Sequence, residues 1–120
     1  MTFTNRFLLF ETMDQWEIKQ YLFERLKDEK VFWSYEEGSL NSIEDDLLIE
    51  LVLQHLDLDD IELLFTAFGR EKVKSVWLGR LIPQGEYLRS LNKFIAWYYF
   101  GIKKPGPYVK MMYTKHLNKI

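Results

Sequence analysis

The residues best suited to chemistry are concentrated in one stretch, His55-Leu-Asp57-Leu-Asp59-Asp60, with Glu44, Asp45, Asp46 and Glu50 just upstream. Hard cations such as magnesium are held by carboxylate oxygens at about 2.0–2.1 Å, and a junction between two helices can gather such groups. The spacing fits no loop of known metal-binding mechanics, the calcium-binding helix–loop–helix pattern included. A plainer reading accounts for the same residues. Carboxylates at a helix start satisfy its free amides and its dipole, and His55 near the preceding helix's C-terminus complements the negative end.

Other reaction classes find less material. There is no cysteine, and only two histidines, His55 and His116, are available to activate a serine. No Gly-x-Ser-x-Gly turn, P-loop or GxGxxG is present. A pair of carboxylates could cleave a glycoside, but 18 acidic residues offer no way to choose the pair. The chain therefore reads as a binding protein rather than an enzyme, with no cofactor and no metal.

Charge points to what it would bind. Met1 to Phe68 carries 16 Asp/Glu against 5 Lys/Arg, a net −11, whereas Gly69 to Ile120 carries 11 Lys/Arg against 2 Asp/Glu, a net +9. Such a division suits a basic surface for an anionic partner, or two faces that recognise oppositely charged surfaces. Arg70, Lys72, Lys74, Arg80, Arg89 and Lys93 are the candidate nucleic-acid contacts. The stretch Phe65-Thr-Ala-Phe-Gly69-Arg-Glu-Lys-Val-Lys-Ser-Val-Trp77 has the outline of a helix-turn-helix, with a glycine turn leading into a basic second helix. Against that outline, Ser75 stands where a core aliphatic residue is wanted, and Phe65 replaces the usual small one.

Eight aromatics lie from Tyr87 to Tyr113, interleaved with Lys93, Lys103, Lys104 and Lys110. Rings above a positive groove hold single strands by stacking, and the same residue types are enriched at protein interfaces. With Leu91, Phe94, Ile95 and Tyr98 assigned to the core, Trp97, Tyr99, Tyr108 and Tyr113 remain for the surface. The candidate partner-binding residues are accordingly Trp97, Tyr99 and Tyr108, together with Asp57, Asp59 and Asp60 of the acidic half.

The elements that would position these residues are helical. A 120-residue chain with 48% hydrophobic and 17% aromatic residues forms one domain and buries roughly two-thirds of its unfolded surface. Apolar periodicity predicts a helix over Asp14–Glu29 with Asp14 as N-cap and Ile18, Tyr21, Leu22 and Leu26 inward. A second starts at Asn41 or Ser42, where Ser42 and Asp45 resemble a capping box, and turns Leu48, Leu51, Val52 and His55 inward. A third follows Asp57, with Ile61, Leu64, Phe65 and Phe68 as its stripe and Gly69 closing it. A fourth runs from Glu71 to about Leu81, with Val73, Val76 and Trp77 inward, until Leu81-Ile-Pro-Gln-Gly breaks the pattern. A fifth spans about Glu86 to Phe100, with Leu88, Leu91, Phe94, Ile95 and Tyr98 on its face and Gly101 closing it. Lys103-Lys-Pro-Gly-Pro reads as a stiff turn, and Tyr108–Lys119 as a last short helix. Residues 1–12 read as a short strand or an extended arm, and Val31 to Tyr35 as an aromatic segment. The expectation is an all-α, compact orthogonal bundle of five or six short helices with a possible helix-turn-helix. No apolar run approaches the ~20 residues of a membrane span, and no signal peptide is evident, so the chain reads as cytoplasmic.

The order Phe32-Trp33, Leu40, Ile49-Glu-Leu-Val-Leu-Gln-His-Leu-Asp-Leu-Asp-Asp60, Leu64-Phe-Thr-Ala-Phe-Gly-Arg-Glu-Lys-Val-Lys-Ser-Val-Trp77, Leu91-Asn-Lys-Phe94 and Tyr99-Phe-Gly-Ile102 resembles a family of small helical domains of Bacteroidetes-type bacteria. About 75 residues carry the resemblance, which has no catalytic signature. Members resemble antitoxin-like partners encoded beside nucleotidyltransferase-type abortive-infection toxins. The resemblance thus implies a protein partner of that type and assigns no residue roles. The N-terminal arm and the Lys103-Lys-Pro-Gly-Pro stretch depart from the family core.

Overall fold

The structure, a computed structural model, describes residues 13–32 and 43–119. The predicted Met1–Thr12 arm, most of the aromatic segment after Phe32, and the Asn41/Ser42 helix start lie outside the described residues. The described chain is all-α. It consists of α1 (Gln15–Asp28), α2 (Asp45–His55), α3 (Leu58–Phe68), α4 (Arg70–Val76), a π-helical turn (Trp77–Leu81), a 3-10 stretch (Ile82–Leu88), α5 (Arg89–Tyr98) and α6 (Pro105–Asn118). None of these helices is long and apolar enough to cross a membrane. Two compact units are formed, one ending at Val73 and one beginning at Lys74.

In the first unit α1 packs on α2 and α3, and α2 on α3. Asp14 caps α1 as expected. Its carboxylate accepts from the Glu17 amide at 2.8 Å, while the Glu17 side chain accepts from the Asp14 amide at 3.1 Å. At the other end Lys30 adopts φ 60°. The Lys30 amide donates to the Lys27 carbonyl and the Val31 amide to the Leu26 carbonyl, the Schellman pattern with a lysine in the usual glycine position. The chain then places Phe32 against Phe23, with ring centroids 5.6 Å apart.

α2 begins at Asp45 after Glu44, whose side chain makes no cap hydrogen bond. Its buried residues are Leu48, Ile49, Val52 and Leu53, not the predicted Leu48, Leu51, Val52 and His55. The helix is rotated by about one residue, which leaves His55 exposed and Leu51 half-buried. In α3, Asp57 caps the helix by accepting from the Asp60 amide at 3.1 Å. Ile61 and Leu64 are buried as predicted, Leu63 joins them, and Phe65 and Phe68 are half-buried.

Gly69 (φ 84°) connects α3 to α4 and serves both. Its amide donates to the Phe65 carbonyl at 2.8 Å, and its carbonyl accepts from the Val73 amide at 3.2 Å. The helix–glycine–helix step is therefore present, but α4 runs only seven residues before the π turn. Val73, Val76 and Trp77 are buried, as the periodicity predicts.

In the second unit α5 packs on α6, and the 3-10 stretch on both. Its core is built around Trp77, fully buried and stacked on Phe100 at 5.1 Å and Tyr108 at 6.2 Å. The Trp77 indole donates to Asn92 Oδ1 at 3.0 Å, and Asn92 Nδ2 donates to the Leu81 carbonyl at 3.2 Å. Asn92 is thus a fully buried polar residue with both ends of its amide engaged, as burial requires. Gly101 (φ 63°) closes α5 as predicted, with the Ile102 amide donating to the Ala96 carbonyl at 3.0 Å. The predicted turn at Lys103-Lys-Pro-Gly-Pro is instead partly helical, because α6 starts at Pro105. Pro105 and Pro107 fall in its first turn, where the missing amide hydrogens have no intrahelical acceptor to lose.

Candidate functional site

In the first unit the acidic residues are drawn into the fold. Lys19 Nζ lies 2.9 Å from Asp45, and Lys72 Nζ 2.6 Å from Asp46. Arg25 reaches Asp60 at 3.3 Å, Asp57 at 3.8 Å and Glu29 at 3.3 Å. Asp60 is fully buried. Its burial, with the neighbouring Asp57 adding to the effect and Arg25 opposing it, pushes the carboxyl up to about 6. Burial works against the Arg25 charge, but Glu29 and Asp60 outweigh it and leave the guanidinium pKa raised.

Asp60 therefore corrects one expectation: a buried carboxylate held by Arg25 cannot present charge to a partner. Asp57 is exposed but serves as the α3 cap and a neighbour of Arg25, and Asp59 is half-buried. Among the described residues no group of three or more His, Asp or Glu is placed to hold a metal ion.

The six basic candidates are divided between the units. Arg70 and Lys72 are exposed in the first, and Lys72 is the residue that holds Asp46. In the second, Lys74 is half-buried with its ammonium 5.7 Å from the centre of the Phe100 ring, a cation–π contact. Arg80 is half-buried in the π turn. Arg89 opens α5 and pairs with Glu86 at 3.4 Å. Lys93, one turn later, is exposed, with its stem passing Gly106, where an added Cβ would lie 3.8 Å from Lys93 Cε.

α5 carries the feature that the sequence misplaces. Its buried residues are Asn92, Ile95 and Ala96, with Leu88 just before it. Phe94 and Tyr98, predicted as core, are 37% and 48% exposed, beside Trp97 at 56%. The buried stripe is displaced toward Asn92, because that side chain is needed by the Trp77 indole and the Leu81 carbonyl. The aromatic flank is thereby turned outward.

The rings form one cluster. Phe94 stacks on Tyr98 at 5.2 Å with an 11° interplanar angle and lies 6.2 Å from Trp97. Trp97 is 5.9 Å from Tyr98, and Tyr98 meets Tyr99 edge-on at 4.9 Å. Of the predicted surface residues, Trp97 is exposed, Tyr99 is half-buried at the edge of this cluster, and Tyr108 is half-buried against Trp77. Tyr108 is thus a packing partner of the core tryptophan.

The unit that holds the cluster is rich in cations. From Lys74 onward the chain holds nine Lys/Arg and a single acidic residue, Glu86, so the unit contains no second side-chain carboxylate to balance them. Compared with family models, curated proteins and solved structures, the chain has no match in any of the three.

Proposed function

We propose that the chain is a non-enzymatic docking module, antitoxin-like or accessory in role, that holds a partner protein through the aromatic face of α5. The observation that carries this reading is the exposure of Phe94, Trp97 and Tyr98 as one contacting cluster. Aromatic anchors surrounded by polar residues are where interfaces concentrate their binding energy, and contiguous exposed apolar surface marks such sites. The excess of Lys/Arg in the same unit favours a partner whose facing surface is acidic.

A single-stranded nucleic acid would use the same residue types differently. Base stacking needs ring faces open to the bases. Here Phe94 and Tyr98 turn faces to each other, and Tyr98 and Tyr99 meet edge to face. The cluster offers a broad apolar surface instead of separate stacking platforms. The resemblance of the Phe32–Ile102 stretch to antitoxin-like domains supports a nucleotidyltransferase-type toxin as the partner.

The test is co-expression with the product of the adjacent gene, followed by co-purification of the native chain and of a Phe94→Ala/Trp97→Ala/Tyr98→Ala variant. All three side chains are exposed, so the variant is expected to keep its helical circular dichroism. The native chain should retain the partner, and the variant should lose at least tenfold in affinity. A complex unaffected by the triple substitution would overturn the reading. So would oligonucleotide binding by a chain that forms no protein complex.

A further inference from the structure

The second unit also contains a groove of about 430 Å³ between the 3-10 stretch Ile82–Leu88 and α6. That size lies within the roughly 300–1,000 Å³ range of small-molecule sites. Its floor is apolar, formed by the buried Ile82 and Val109, and the exposed Leu117 extends the apolar lining along α6. Gly85 forms part of the wall in a backbone conformation (φ 65°) that side chains rarely adopt. A Cβ there would stand 3.3 Å from the Tyr113 hydroxyl, so the wall is bare backbone where the tyrosine ring crosses it.

Three charges border this lining: Arg89, Lys110 and Glu86. Glu86 is held by Arg89 at 3.4 Å and is the only acidic residue of the unit. The rim therefore keeps one positive charge in excess, beside an apolar floor.

We propose that this groove is a binding site for a small amphipathic monocarboxylate, its apolar body over Ile82 and Val109 and its carboxylate between Arg89 and Lys110. A neutral apolar molecule would leave the cations unused, and a cation would meet like charge. The aromatic face of α5 plays no part in this assignment, so the two sites stand or fall separately.

Decanoate, below its micellar concentration, is the probe, with decylamine and decanol as chain-matched controls. Amide chemical shifts of the full chain give both the affinity and the location. Decanoate should shift Gly85, Val109 and Thr114 and bind at least tenfold more tightly than either control. An Arg89→Ala/Lys110→Ala variant should lose that preference while keeping its thermal midpoint. Thr114→Phe, which fills the groove from an exposed position on its wall and leaves both cations in place, should block binding. Equal affinity for decylamine, undiminished decanoate binding in the double variant, or shifts confined to Phe94, Trp97 and Tyr98 would each overturn the assignment.

Discussion

In the unit ending at Val73, seven Lys/Arg stand against seventeen Asp/Glu, and Lys19, Lys72 and Arg25 each hold a carboxylate that caps or begins a helix. In the unit beginning at Lys74, nine Lys/Arg stand against Glu86 alone, and the same unit carries the exposed rings of α5. The first unit's charges are tied to its architecture, with Asp60 at its centre. The second unit is held instead by Trp77, Asn92 and the rings around them, with no carboxylate at the centre of its core. Net charge alone would have assigned both halves the same kind of role. Burial separates them.

The sharpest way to break this contrast is Arg25→Met, which strands a buried carboxylate. Loss of one partner of a buried ion pair costs about 3–5 kcal/mol; the partial exposure of Arg25 and the ability of Asp60 to take up a proton bring the expected loss to about 2–3 kcal/mol at neutral pH. Urea denaturation measures it, and the loss should shrink at pH 5, where Asp60 is protonated. A cost below 0.5 kcal/mol would mean that the first unit does not depend on its charges.

Of similar size is the pH effect of Asp60 itself. Its folded-state pKa, about 6, lies above the ordinary 3.8. The stabilisation from this group is therefore fully present below about pH 4 and is lost as pH rises through 6. Asp60→Asn should remove that dependence, so the stability difference between native chain and variant should move in the variant's favour by on the order of 2–3 kcal/mol between pH 4 and 7. Parallel pH profiles would refute it.

Next comes Lys30, whose left-handed conformation costs a non-glycine residue about 1 kcal/mol. Lys30→Gly should raise stability by about that amount in thermal unfolding, since no charge contact of Lys30 is needed for the α1 C-cap. The smallest expected effect sharpens the contrast from the other side. Lys103→Glu with Lys104→Glu, both exposed in the second unit, should leave stability within about 0.5 kcal/mol. A larger loss would show that the basic unit's charges are structural after all.

The local signals were readable from sequence because their causes are local. Asp14, Asp57, Gly69 and Gly101 terminate helices where their chemistry predicts, each acting on amides or carbonyls a few residues away. The all-α class follows from the same periodicity. The misreadings have distant causes. Asp60 looked like a surface acid because Arg25, which meets it, is 35 residues away. Periodicity puts Phe94 and Tyr98 in the core because it does not reveal that Asn92 is required inside by Trp77 and Leu81, both in the π turn. Leu51 and His55 fit a helical stripe as well as Ile49 and Leu53 do, and only packing against neighbouring helices chose between them. Pro105 and Pro107 suggested a turn because their tolerance in a first helical turn depends on where the helix starts.

The placement of the indoles also gives the molecule built-in optical reporters. Trp77 sits in a dry aromatic stack, whereas Trp97 faces solvent on α5 and Trp16 on α1. Emission from Trp77 should lie to the blue and resist acrylamide, while Trp97 should emit to the red and quench readily. A partner seated on α5 would shield Trp97 and leave Trp77 unchanged, and loss of the core around Asn92 would redden Trp77 first. Fluorescence on single-tryptophan variants can therefore distinguish occupation of the surface from loosening of the interior without any added label.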